Sequence, residues 1–183
     1  LRRPDSLNAD TRYGAFLRGM RELGYVEGKN LVIEWRLADG RSERLPGLAA
    51  ELVQLKIDVI VTAGTPATSA AQKATTTVPI VIANAGDPVA SGFAKTLARP
   101  GGNLTGSSDI TADVSPKQFE LLLEIVPKLS RVGVLMNPAN SAHTAILKNV
   151  RAAAQSVGVK VLPLEAPNPQ EIEKAFFTMA RES

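Results

Sequence analysis

The chain contains no cysteine, one histidine and one tryptophan among 183 residues. Without a thiol there is no disulfide, no thiolate metal site, no cysteine nucleophile and no lipid attached through this sequence. The lone imidazole, His143, lies one turn into a predicted helix with no acidic neighbour in sequence, and reads as a surface residue. Aromatic residues make up 4%, too few for an aromatic-lined sugar cleft. Neither sign of charge dominates: Lys+Arg 21 against Asp+Glu 18 give +3, with no basic run of the kind that tracks nucleic acid. No stretch approaches the ~18–20 apolar residues of a transmembrane span. The opening Leu1-Arg2-Arg3-Pro4 lacks the apolar core of a secretory signal, so any such signal is expected to have been cleaved or to lie outside this sequence. Enzyme motifs are missing as well. There is no Gly-x-x-x-x-Gly-Lys-Ser/Thr loop, Gly101-Gly-Asn-Leu-Thr-Gly106 lacks the lysine, and Gly-x-Ser-x-Gly does not occur. No metal or cofactor is called for, and the chain reads as a non-enzyme.

What is present is ordinary globular material, 44% hydrophobic and 21% charged, arranged as helices alternating with strands. Tyr13, Phe16, Leu17, Met20 and Leu23 form a helical stripe that stops at Gly24. Leu31–Arg36 reads as a strand, with Trp35 packed in the core. Leu45, Leu48, Ala49, Leu52 and Val53 mark a second helix. Ile57–Thr62 has the β-branched run of a buried parallel strand, with Asp58 as an edge or capping residue. Thr65-Pro66 opens a helix through about Thr75, Pro79–Ala83 is a strand, and Asp87-Pro88 opens a helix through about Leu97. Leu104–Gly106 is a short extended piece; Asn103-Leu-Thr105 fits a glycosylation sequon of the kind chance also supplies. Ser115-Pro116 starts a helix over Phe119–Val126, Arg131–Met136 is a strand, Ser141–Val157 a helix ending at Gly158, Val159–Leu164 a strand, and Asn168-Pro169 begins the last helix. In each of the four Pro pairs a side-chain oxygen is expected to cap a helix whose first residue is Pro. Strands alternating with helices predict a parallel sheet covered on both faces.

Two segments share one order of helix, Gly, strand, polar loop and helix: Asp10 through Val53 around Gly24, and Ser141 through Met179 around Gly158. The two glycines lie 134 residues apart. Shifting Arg131–Met136 by that offset puts its counterpart at positions −3 to 2. The sequence therefore reads as a piece of two similar α/β lobes, incomplete at both ends; two lobes of ordinary domain size would need ~200–300 residues.

Ligands of doubly wound sheets gather beyond the carboxyl ends of the strands. That rule selects three loops: Gly64, Thr65, Pro66 and Ala67; Asn84, Asp87 and Pro88; and Asn137, Asn140 and Ser141. Each leads into a predicted helix N-terminus, whose N–H groups and dipole attract a carboxylate or phosphate. Asp87 has the opposite sign and suits an ammonium group, besides its plain role as a cap. N–H donors facing a carboxylate fit a free amino acid.

Phe16-Leu-Arg-Gly-Met-Arg-Glu-Leu-Gly-Tyr-Val-Glu-Gly-Lys-Asn30, Glu34-Trp-Arg-Leu-Ala-Asp-Gly40, Asp58-Val-Ile-Val-Thr-Ala-Gly-Thr-Pro66, Gly86-Asp-Pro-Val89 and Leu97-Ala-Arg-Pro-Gly-Gly-Asn-Leu-Thr-Gly106 carry a resemblance over nearly the whole chain. It is to a family of ABC-transporter substrate-binding proteins, often labelled uncharacterised or of tryptophan/tyrosine transport type. The resemblance implies a type I periplasmic-binding fold: two doubly wound, flavodoxin-like parallel-sheet lobes that close on a small ligand, an amino acid and for some relatives an aromatic one. It places Thr65, Asp87, Asn140 and Ser141 at ligand-facing loops. It also implies a periplasmic or otherwise extracytoplasmic location and docking on an inner-membrane ABC permease, with no intrinsic membrane span and no nucleic-acid partner. The first lobe is expected over 1–110, a crossover or hinge helix over 111–130 and a partial second lobe over 131–183. Closure would pivot within Gly106–Val114. The ligand-sensing domain of a regulator or receptor shares this fold and is the alternative; an enzyme on a flavodoxin-like sheet is a third reading, without a nucleophile–base set to support it.

Overall fold

A computed structural model of the protein describes residues 12–181. The start of the first repeat at Asp10 and the Leu1–Pro4 segment lie outside the described residues. The described residues fall into two compact units that divide between Leu37 and Ala38.

In the first unit, helix α1 (Arg12–Glu22) carries the stripe, with Tyr13, Phe16, Leu17 and Met20 half-buried. Leu23 falls past its end and is 75% exposed. The stop is a paired-carbonyl cap: Gly24, at φ 87, donates to the Arg21 carbonyl at 3.0 Å, and Tyr25 donates to the Met20 carbonyl at 2.8 Å. The expected strand Leu31–Arg36 does not form. Only Leu31 makes a bridge, to Glu27, because among the described residues no neighbouring strand lies alongside 32–37. Trp35 stands edge-on to Tyr13, ring centroids 5.7 Å apart.

The second unit opens with a short 3-10 helix, Ser42–Arg44, continuing into α2 (Leu45–Gln54). There follow β1 (Ile60–Ala63), α3 (Thr65–Ala74), β2 (Ile80–Asn84) and β3 (Leu104–Gly106). The three strands are parallel in the order β1-β2-β3, with Ile60 opposite Ile80 and Ile80 opposite Leu104. Strand β1 begins three residues later than the hydrophobic run suggests, leaving Asp58 exposed in the bend before it. Ile60, Ala71, Ile80, Ile82, Ala85, Phe93 and Leu104 form one buried cluster.

The crossover from β2 to β3 contains no helix, contrary to the expectation for Asp87–Leu97. Asp87 does act as a cap, its Oδ1 accepting from Val89 N at 3.1 Å and Ala90 N at 2.9 Å. The turn it starts is closed at once: Gly92 takes φ 74, and both Phe93 and Ala94 donate back to the Pro88 carbonyl. Phe93 then drops into the core, pinning the loop. The sequon asparagine, Asn103, is used internally, its amide bonding the carbonyls of Val78 (2.7 Å) and Thr75 (3.3 Å).

Helix α4 (Thr111–Ile125) starts four residues before the expected Ser115-Pro116, which lies inside it. Pro116 has no N–H for the Ala112 carbonyl. The Ser115 hydroxyl (2.8 Å) and the Asn149 amide (2.7 Å) donate to that carbonyl instead. Beyond it come β4 (Arg131–Met136), α5 (Ala142–Ser156), β5 (Lys160–Glu165) and α6 (Pro169–Arg181). Strands β4 and β5 pair in parallel from Arg131–Lys160 to Met136–Glu165 as a separate two-stranded sheet. Helix α5 ends as α1 does: Gly158 donates to Gln155 and Val159 to Ala154. The internal echo thus holds in the helix ends and fails in the strand that follows the first of them. Asn168 caps α6 as expected, its Oδ1 accepting from Glu171 N at 2.9 Å. No helix among the described residues is long and apolar enough to cross a membrane.

Candidate functional site

The three strand-end loops meet around Gly86. Gly64, at φ 93, caps α3 in place of the expected Thr65 and donates its N–H to the carbonyl of Asn84, the last residue of β2, at 2.8 Å. Thr65 is therefore the first helical residue and is 3% exposed; its hydroxyl accepts the Gly86 N–H at 3.1 Å. Thr65 is a brace between two loops, not a cap. Pro66 and Ala67 follow half-buried in the first turn, and Thr68 closes it by bonding back to the Gly64 carbonyl.

Gly86 has no room for a side chain. A Cβ there would stand 2.6 Å from the Ala142 Cβ, with Asp109 Oδ1 and Thr65 Oγ1 each 3.7 Å away. The backbone of the second loop thus sits against the first residue of α5, which belongs to the two-stranded sheet. A second contact repeats the approach, Ser141 Oγ to Ser91 Oγ at 3.4 Å. Asp109 fixes the far side: its N–H bonds the Ala85 carbonyl (2.9 Å) and its Oδ1 accepts from Thr111 N at the start of α4. Pro88 is buried, while Asp87 is half-buried on the rim with Oδ1 engaged by the turn.

The third loop is held by its own side chains. Asn137 Oδ1 accepts from Ala139 N (2.9 Å) and Asn140 Oδ1 from Ala142 N (3.1 Å). The Asn137 N–H donates to His143 Nδ1 at 2.9 Å. His143 is half-buried, and burial pushes its pKa down from 6.5. It is a structural acceptor rather than the surface residue expected.

Beside these loops lies a cavity of about 310 Å³, lined in part by Ser42, Leu45 and Pro46 at the start of α2, Pro66 and Ser69 on α3, and Ala139 of the third loop. Its wall is mostly apolar and includes the first residues of two helices. Among the described residues no group of three His, Asp or Glu side chains could hold a metal ion.

The structure joins the first two loops through Gly64–Asn84 and Thr65–Gly86 and brings Ser141 to Ser91 of the segment after the second, while Asn137 and Asn140 bond within their own loop and Thr65 changes role from cap to brace. Sequence reasoning quoted Gly86 only as part of a motif, gave it no role, and passed over Ser91, Asp109 and the function of His143. For His143 a signal exists: an imidazole in the first turn of a helix, within reach of the loop that leads into it.

Comparison with known proteins covers nearly the whole chain. The family described as ABC transporter substrate binding protein matches residues 5–183. A tyrosine-binding protein of Clostridioides difficile strain R20291 is 27% identical over 164 residues, which are 90% of this chain and 47% of that one. A conserved domain protein of Vibrio cholerae superposes with a TM-score of 0.85 at 31% identity, over 93% of this chain and 57% of the other. An ABC domain from Streptococcus pneumoniae in complex with L-Trp gives 0.81 at 26% identity, over 91% and 56%. The fold is the type I periplasmic-binding architecture that the sequence motifs imply. The chain spans about half the length of these relatives.

Proposed function

The chain belongs to the ABC transporter substrate binding protein family, and from that premise we propose that it supplies the ligand loops of an importer's extracytoplasmic solute-binding component. The ligand is a small amino acid-type solute, with aromatic amino acids the first candidates because relatives are named for tyrosine and L-Trp. One observation carries the reading: loops from both sheets converge at Gly86, where α3 and α5 present their N-termini. The ligand carboxylate lies against the first-turn N–H groups of α3 at Thr65 and Ala67, because those of α5 at Ala142, His143 and Thr144 are bonded within their own loop. Asp87, with Oδ1 committed to its turn, offers Oδ2 to the ammonium group. The apolar side chain lies in the neighbouring cavity.

In this reading residues 1–110 and 131–183 contribute to two lobes, the chain crosses between them over 111–130, and closure pivots within Gly106–Val114. A ligand that touches loops of both sheets favours the closed arrangement by its differential affinity for it. The closed surface then docks on an inner-membrane permease, and transport, not turnover, is the outcome.

Thermal-shift and calorimetric screening of the twenty amino acids on the full-length protein tests this. A ligand that binds the native state raises the melting temperature. L-Trp or L-Tyr is expected to do so, and Asp87→Ala to remove most of the shift. If no amino acid binds while another solute class does, or if Asp87→Ala binds as tightly as the parent, the assignment fails.

A further inference from the structure

We propose that His143 is a positioning residue for the loop Asn137–Ser141, and that its neutral imidazole holds that loop in the ligand-binding arrangement. The inference rests on reading this loop as part of the ligand site. Asn137 is the first residue past β4, and its N–H meets His143 Nδ1 at 2.9 Å. Nδ1 must therefore offer its lone pair, which places the ring proton on Nε2. The clasp is two-way, since the His143 N–H reaches the Asn140 carbonyl at 3.1 Å. The same short segment presents Ala142 to Gly86 and Ser141 to Ser91. Whatever fixes Asn137 thus fixes the wall that the third loop contributes to the site.

Protonation undoes this in two ways. Both ring nitrogens become donors, so Nδ1–H faces the Asn137 N–H. The cation also lies in the first turn of α5, where the helix dipole is positive. The charged groups on the surrounding elements are Asp87 and Asp109 on the loops that reach α5, Asp113, Lys117, Glu120 and Glu124 on α4, Lys160 and Glu165 on β5, and Lys148 and Arg151 on α5 itself. None of them contributes to the shift of His143, whose cause is burial alone.

The full-length protein is titrated with L-Trp and L-Tyr by calorimetry from about pH 8 to about pH 5, the range in which imidazole changes charge. The Asn137 amide is followed by NMR in the ligand-free protein. The expected result is affinity weakened roughly three- to tenfold on acidification, the value of one lost hydrogen bond. The Asn137 amide resonance moves with the titration of His143. His143→Ala weakens binding by a similar factor at pH 8 and flattens the profile. His143→Asn, whose Oδ1 accepts in place of Nδ1, recovers most of the affinity yet also shows a flat profile. Parent affinity that is constant across the range, or an Asn137 amide indifferent to the His143 titration, overturns the inference. Failure of both amino acids to bind at pH 8 overturns the aromatic ligand instead, and the Asn137 titration alone then decides the clasp.

Discussion

The two sheets are built from the same strand–helix–strand unit, but they bury it to different depths. In the three-stranded sheet, β2 has a neighbour on each side, and Ile80 and Ile82 are 0% and 4% exposed. In the two-stranded sheet no residue of β4 or β5 is fully buried; Val132, Val134 and Val161 are only partly covered by a cluster built on Phe119, Val150, Ala154 and Val159. The difference teaches where each region keeps its order. The first is organised from its strands outward, with loops tied by backbone bonds such as Gly64 to Asn84. The second relies on its helices and on side-chain clasps such as His143 to Asn137.

The comparison can be broken most sharply at the strand centres. Ile80→Ala should cost about 2–5 kcal/mol in denaturant unfolding, as full truncation in a packed core does. Val134→Ala, half-buried, should cost about 1 kcal/mol. Equal losses would mean that the two sheets are equally well packed.

Two glycines give the next contrast. A methyl at Gly106 would run into the Ile82 backbone, at a φ of 139 that side chains rarely adopt; at Gly133 it would run into the Met179 side chain. Backbone cannot retreat and a thioether chain can. Gly106→Ala is therefore expected to lose at least about 1–3 kcal/mol, and Gly133→Ala less. The order of the two melting temperatures checks it, and the reverse order would place the rigid element in the wrong sheet.

The smallest effect is acid sensitivity confined to the second region. Burial lowers the pKa of His143, so the native state binds that proton less readily than the unfolded chain. Its contribution is complete above 6.5 and declines as the pH falls below that value through the lower native pKa. Amide exchange followed from neutral pH downward should show protection lost around β4 and α5 before β1–β3, with the intrinsic pH dependence of exchange removed. A uniform loss would sink the regional assignment.

Much of this architecture was legible along the chain because apolar spacing is a local signal: β4 has the predicted bounds, and both glycine-capped helices end where predicted. The misses share one cause, that the same residues serve more than one partner. Leu31–Arg36 has strand composition, but a strand is made by its neighbour. Asp87-Pro88 has capping chemistry, which serves a single turn as well as a helix. Thr65-Pro66 looks like a cap until Gly64 takes the position and frees the hydroxyl for Gly86. Ser115-Pro116 looks like a start, yet a helix can carry Pro in its second turn when Ser115 and Asn149 satisfy Ala112. The ligand loops could be selected by their place after strands. Their meeting at Gly86 and the clasp on Asn137 depend on contacts between segments far apart in sequence.

The approach of Gly86 to Ala142 also has a genetic consequence. A single methyl-sized space is shared by two positions 56 residues apart, so neither can be enlarged independently. A larger residue at 142 occupies the space that glycine at 86 leaves, and Ala142→Gly would release room for a methyl at 86. Substitutions at these two positions should therefore be epistatic, each tolerated or rejected according to what stands at the other.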